Sequence, residues 1–219
     1  DTSSVYPPAA TSLPKVGYQR TLSAEGVLAL RPTRVLVSED AGPPHALEQL
    51  RTARIPVEII RGEASPQGAR AKIRQLAQLL QVPQRGEALI AALEMDLQQA
   101  QRVSVPHRAG SRRLSVLFVY ARSAGAVLVA GRDTAPDAML RLAEVDNAAA
   151  ALTGFKPYSA EVLAMLRPDV LLLTDRGAQS LGGAAGLRQV PGLASVPEER
   201  VVTIDDLQLL GFGPRTGQA

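Results

Sequence analysis

The sequence predicts an α/β protein of two similar lobes joined by a helical connector. Three observations carry this prediction: an internal repeat at an offset of 136 residues, short apolar strands followed by polar loops, and two long amphipathic stretches between the copies. In the first copy Ser23-Ala24-Glu25 leads to Leu30-Arg31-Pro32 and then to Val35-Leu36-Val37. In the second, at identical spacing, Ser159-Ala160-Glu161 leads to Leu166-Arg167-Pro168 and Leu171-Leu172-Leu173. Upstream, Gly17-Tyr18-Gln19-Arg20 faces Gly154-Phe155-Lys156-Pro157, displaced by a single residue.

The chain opens on turn and polyproline chemistry, Ser3-Ser4-Val5-Tyr6-Pro7-Pro8. Ser23 and Ser159 read as helix caps, and Glu25 and Glu161 as acids placed in the first turn, where the helix dipole favours them. Each helix then meets a proline break and a buried strand. The loops after those strands, Ser38-Glu39-Asp40-Ala41-Gly42 and Thr174-Asp175-Arg176-Gly177, lie where α/β proteins bind ligands. His45 follows Pro43-Pro44 at a helix start. Between the copies, residues 67–80 (Ile73, Leu76, Leu80) and 86–103 (Leu89, Ile90, Leu93, Leu97) repeat apolar residues at helical spacing. Residues 114–120 and 127–130 read as strands, 136–142 as a helix, and 201–204 as a last short strand before Asp205-Asp206. Gly211-Phe212-Gly213-Pro214-Arg215-Thr216-Gly217 reads as a loop with no closing helix. The expected divisions are an N-terminal lobe over 1–84, an inter-lobe helix and linker over 85–112 and a C-terminal lobe over 113–219. Where two such lobes meet, a ligand cleft is expected.

Composition narrows the chemistry. Hydrophobic residues make up 46% of the 219 residues and charged residues 21%, the balance of a globular chain. No window approaches 18 uninterrupted apolar residues, so no membrane-spanning helix is expected. With no cysteine, thiol catalysis, disulfides and thiolate metal sites are out; the two histidines, His45 and His107, are too few for a multi-histidine site. The net charge of +3 comes from 21 arginines and 3 lysines scattered among 21 acids, with no basic stripe for nucleic acid. Catalytic signatures are absent. An α/β enzyme would have to use strand-end acids, Glu39 and Asp40 or Asp205 and Asp206, whose plain reading is that of solvated loop carboxylates.

Tyr18 offers the most specific chemistry. A phenolate is a hard anionic ligand for ferric iron, as in haem proteins with tyrosine ligation, and a phenol that titrates near about 10 needs iron or a nearby cation to ionise at neutral pH. Arg20, two residues on, could supply that charge and a donor to the oxygen. Taken alone, a loop tyrosine is more often a packing residue, and spacing does not separate the two readings.

Leu13-Pro14-Lys15-Val16-Gly17-Tyr18-Gln19-Arg20-Thr21-Leu22-Ser23-Ala24-Glu25-Gly26 resembles the ligand-loop signature of periplasmic haem-binding proteins from haem ABC importers, within the cobalamin- and siderophore-type substrate-binding superfamily. The similarity runs on through residues 38–42, 130–139, 154–159 and 210–215. It implies a class III periplasmic binding protein: two Rossmann-like lobes on a rigid helical linker, non-enzymatic, binding one ferric haem or two in the cleft. It also implies delivery of that haem to an inner-membrane ABC permease and ATPase complex. By the resemblance, Tyr18 is the axial ligand of the haem iron and Arg20 its hydrogen-bonding support, while Phe155, opposite Tyr18 in the repeat, has no oxygen to ligate iron. Tyr120, Phe155, Arg122, Arg132, Arg176 and Arg215 are expected ligand contacts, the arginines as partners for propionates. Glu25 and Glu161 are expected to dock against arginines of the permease. Against such relatives the chain reads as truncated at both ends, lacking an initial strand and helix and a closing helix. A cobalamin or ferric-siderophore binder is the alternative within the fold.

Overall fold

The computed structural model describes residues 1–104, 112–121, 127–157, 159–187, 189–191, 193 and 196–219. They fall into two units, Asp1–Arg61 and Gly62–Ala219.

In the first unit, a loop with 3-10 turns at Pro8–Ser12 and Gln19–Thr21 leads into helix α1 (Ala24–Leu28). Ser23 caps α1 as expected, its hydroxyl accepting from the Gly26 N–H at 3.2 Å. Arg31, at φ 47°, turns the chain out of α1 in the left-handed region, and Pro32 prevents its resumption. Strand β1 (Val35–Ser38) pairs in parallel with β2 (Val57–Ile60), from Val35 opposite Val57 to Ser38 opposite Ile60. Between them α2 (Pro44–Thr52) starts on a proline, where a missing N–H costs nothing. It buries Ala46, Leu47 and Leu50 against Leu22, Ala24, Val27 and Val37, the core of this unit.

The second unit opens with α3 (Pro66–Leu79) and α4 (Pro83–Ser104), the two helices expected from apolar spacing. They bury Ala69, Ile73, Ile90, Leu93 and Leu97 together. Where Gly86 of α4 faces α3, a Cβ on it would stand 2.5 Å from the Ala77 methyl, so a larger residue would force the helices to shift. Leu80 and Leu89, counted with the apolar face in the sequence, stay exposed. The Lys72 ammonium on α3 donates to the carbonyls of Gly211 (3.1 Å) and Phe212 (3.3 Å), tying this hairpin to the last segment of the chain. The hairpin therefore groups with the residues that follow it: the sequence places divisions at 84 and 112, whereas the contacts place one at 61.

The sheet follows: β3 (Ser115–Ala121), β4 (Val127–Ala130), α5 (Ala135–Leu142), β5 (Asp146–Asn147), β6 (Phe155–Pro157), α6 (Ala160–Leu166), β7 (Val170–Thr174), α7 (Asp175–Ser180), α8 (Gly183–Leu187), β8 (Val201–Ile204) and α9 (Asp206–Gly211). Among the described residues the strand order is β6-β4-β3-β7-β8, with β5 also on β3. β3, β7 and β8 run parallel, while β4 is antiparallel to both β3 and β6. β3 is buried on both faces, which is why it reads as an unbroken apolar run. One face packs Leu117, Val119, Leu171 and Leu173 with Leu163 and Leu181; the other packs Phe118 and Ala130 with Met139, Leu209 and Phe212.

The repeat is real in the backbone. Ser159 caps α6 through the Val162 N–H at 3.2 Å, as Ser23 caps α1. Arg167, matched with Arg31, is also left-handed, at φ 41°. Two expectations need correction. Residues 174–177 are not a free loop: the Thr174 hydroxyl accepts from the Gly177 N–H at 3.1 Å and starts α7 directly. The 211–217 stretch is not all loop, because α9 runs into it and a 3-10 turn forms at Thr216–Gln218. Among the described residues no helix is long and apolar enough to cross a membrane.

Candidate functional site

In the first unit the Tyr18 loop is tied to the loop after β1. Gly42 donates its N–H to the Gln19 carbonyl (2.9 Å), and its own carbonyl accepts from the Leu22 N–H (2.8 Å). The Ser38 hydroxyl donates to the Gln19 side-chain oxygen at 2.9 Å. Gly17 sets the approach at φ 89°, in the left-handed region that an L side chain rarely adopts. The loop thus brackets Tyr18 on both sides with fixed backbone. The ring is half-buried, and among the described residues the phenol oxygen has no hydrogen-bond partner. Arg20, named in the sequence as the cation beside the phenol, places its guanidinium 2.8 Å from the Asp40 carboxylate. Ser38, Gln19 and Asp40 are thus part of the same loop assembly. From the sequence, Asp40 reads as a strand-end acid for an enzyme or as a solvated carboxylate, not as the partner of Arg20.

In the second unit two expected contact residues come together. The rings of Tyr120 and Phe155 lie 5.7 Å apart at 51°, and Tyr120 stacks on buried Phe118 at 6.4 Å. The register explains this: Phe155 is opposite Ala130 and Tyr120 opposite Leu128, so both rings stand on one face, two rows apart across β4. Phe155 is 42% exposed, the open end of an aromatic row rooted in the core. Gly154 precedes it at φ 71°, as Gly17 precedes Tyr18.

The arginines are dispersed. Arg176 lies exposed in the first turn of α7, beside the end of β3: a Cβ on Gly177 would lie 3.6 Å from the Ala121 carbonyl oxygen. Arg132 follows β4, which runs antiparallel, so it leaves the sheet at the end where β3 and β7 begin. Arg215 is engaged with Asp205 at 2.9 Å. Arg122 and His107 lie outside the described residues.

Glu25 and Glu161 occupy equivalent exposed positions in the first turns of α1 and α6. The Glu161 carboxyl is held below the usual carboxylate range by its own backbone N–H and by the Ser159 hydroxyl. Beside Glu25 lies a shallow hollow lined by Ala24, Leu28, Ala29 and Gln49. Three of the acids weighed for an enzyme have structural partners: Asp40 pairs with Arg20, Asp205 caps α9 through the Gln208 N–H at 3.0 Å, and Asp206 accepts from the Arg176 N–H at 3.3 Å. A hollow of about 470 Å³ lined by Leu97, Met139, Leu142 and Thr216, among others, includes neither Tyr120 nor Phe155.

The chain as a whole is similar to known proteins. The chain matches the family model described as periplasmic binding protein over residues 1–206. It is 46% identical to the periplasmic heme-binding protein RhuT from Roseiflexus sp. RS-1, with a TM-score of 0.92 over 100% of this chain and 84% of that one. To the periplasmic heme-binding protein BhuT, solved in complex with two hemes, it is 44% identical, with a TM-score of 0.91 over 100% of this chain and 83% of that one. Among curated proteins it is 24% identical to the uncharacterized ABC transporter substrate-binding lipoprotein YvrC of Bacillus subtilis (strain 168), over 98% of this chain and 67% of that protein. On the family model and these near-complete structural matches, the chain belongs to the periplasmic binding protein family.

Proposed function

We propose that this chain is a periplasmic haem-binding protein that captures ferric haem through the Tyr18 phenolate and delivers it to an inner-membrane ABC permease and its ATPase. The observation that carries the reading is a half-buried phenol, two residues before Arg20 in the chain, whose oxygen has no hydrogen-bond partner among the described residues and which stands on a loop fixed by backbone hydrogen bonds. An oxygen poised in this way can exchange its proton, released to water, for ferric iron without first breaking a hydrogen bond to another described residue. The similarity to the periplasmic heme-binding proteins RhuT and BhuT, at 46% and 44% identity, supports haem as the cargo.

The second unit supplies apolar contact. Tyr120 and the partly exposed Phe155, their rings tilted at 51°, offer apolar aromatic contact to a porphyrin, and because Phe155 has no oxygen the ligand to iron would come from Tyr18. Arg132, Arg176 and Arg122 are proposed partners for the propionates. Arg215, already bonded to Asp205, is the weakest of the arginine assignments. Glu25 and Glu161, one per unit on matched helix starts, are proposed to meet arginines of the permease.

Titration with ferric haem tests the cargo. A saturable Soret band that cobalamin does not displace is the expected result. Absence of the band, or displacement by cobalamin or a ferric siderophore, refutes the haem reading.

A further inference from the structure

We propose that Asp40 is a positioning residue for the Tyr18 site, acting through Arg20; this rests on the haem reading above. The Asp40 carboxylate lies 2.8 Å from the Arg20 guanidinium, and the two residues are 20 apart in the chain. Backbone bonds between Gly42 and both Gln19 and Leu22 hold their two loops together, so the contact belongs to a fixed frame rather than to two loose side chains. Arginine carries considerable rotamer entropy, and a carboxylate that holds one of its five donors fixes the charge while leaving other donors available.

The duplication provides an internal control. At the repeat offset of 136, Asp40 corresponds to Arg176, and Arg20 faces Pro157 in the matched loop. The copy that has Phe155 in place of the phenol therefore has neither member of the pair. Its loop after the strand is also built differently, as the first turn of α7. A carboxylate that served only solubility or loop closure would have no reason to appear only beside the copy with the oxygen. One that holds the arginine serving that oxygen would.

Both side chains are about half exposed, at 51% for Arg20 and 62% for Asp40, which limits the effect to about two- to five-fold. The experiment measures ferric haem transfer from the protein to an excess of a haem-scavenging globin, together with the tyrosinate-to-iron charge-transfer band. The proteins compared are wild type, Asp40→Ala, Arg20→Ala, the double variant and Tyr18→Phe. Asp40→Ala is expected to release haem about three-fold faster and shift the band, to have no further effect in the Arg20→Ala background, and to leave the melting temperature within a degree or two. Equal acceleration with and without Arg20, or unchanged release and band in Asp40→Ala, overturns the role of Asp40. Loss of the wild-type band in Tyr18→Phe shows that the haem reading stands while Asp40 is judged. A wild type without that band removes both.

Discussion

Asn147 joins the sheet to a buried carboxylate, and its replacement by alanine gives a prediction of definite size. Asp137, only 2% exposed, accepts from the Asn147 amide at 2.9 Å and from Arg141. The same amide donates to the Ala130 carbonyl at 3.2 Å, and the Asn147 side-chain oxygen accepts from the N–H of fully buried Ala149 at 2.9 Å. Asn147→Ala removes a hydrogen bond to an ionised group, worth about 1.5–3 kcal/mol, and leaves the Ala149 N–H unsatisfied at about 1–3 kcal/mol. With partial relaxation the sum is about 3 kcal/mol, a fall in melting temperature of about 6–12 °C for a chain of this size. Urea and thermal unfolding followed by far-ultraviolet circular dichroism measure it. In an Asp137→Ala background the cost should drop to about 1–2 kcal/mol, because no buried charge is left short of a donor. A cost under about 0.5 kcal/mol, or one independent of Asp137, refutes the reasoning. Haem retention should suffer as well, since Ala130 lies opposite Phe155.

Two further outcomes follow. Asp169 is held below the ordinary aspartate range, first by the Ser115 N–H at 2.8 Å and then by Arg112, so its contribution to stability is complete above about pH 4 and is lost as the pH falls through its lowered native value. Asp169→Asn should therefore flatten the loss of stability as the pH falls below about 4, measured by urea midpoints; an unchanged acid slope would contradict this. Reversing both Glu25 and Glu161 to lysine should abolish haem uptake by cells while leaving haem binding intact, and unchanged uptake counts against docking through these acids.

What the sequence disclosed was mostly local. The caps at Ser23 and Ser159 and the prolines after Arg31 and Arg167 act within a turn of themselves, so the duplicated helix-to-strand units were legible and recur in the backbone. The pair of long helices was legible from periodicity for the same reason. β2, β5 and β6 were not anticipated: β5 and β6, at 2 and 3 residues, are too short to show an alternation, while in β2 Glu58 breaks the apolar run that marks β1 and β4, and all three exist because neighbouring strands pair with them. The division near residue 61 depends on contacts such as Lys72 with Gly211, 139 positions apart, which no window can display. The candidates Tyr18, Tyr120 and Phe155 could be named from sequence, whereas the Arg20–Asp40 pair and the bond that Arg215 donates to Asp205 are tertiary and turned two apparently solvated acids into partners.

The most direct measurement compares the absorption and resonance Raman spectra of ferric haem bound to the wild type and to Tyr18→Phe, a change that deletes a single oxygen from a half-buried ring. The wild type should show an iron–phenolate stretch and its charge-transfer band. In Tyr18→Phe both should vanish, and haem should be lost at least ten-fold faster, since ten-fold corresponds to about 1.4 kcal/mol and an iron–oxygen bond exceeds that. Identical spectra and retention in the two proteins would contradict the assignment of Tyr18 as the ligand.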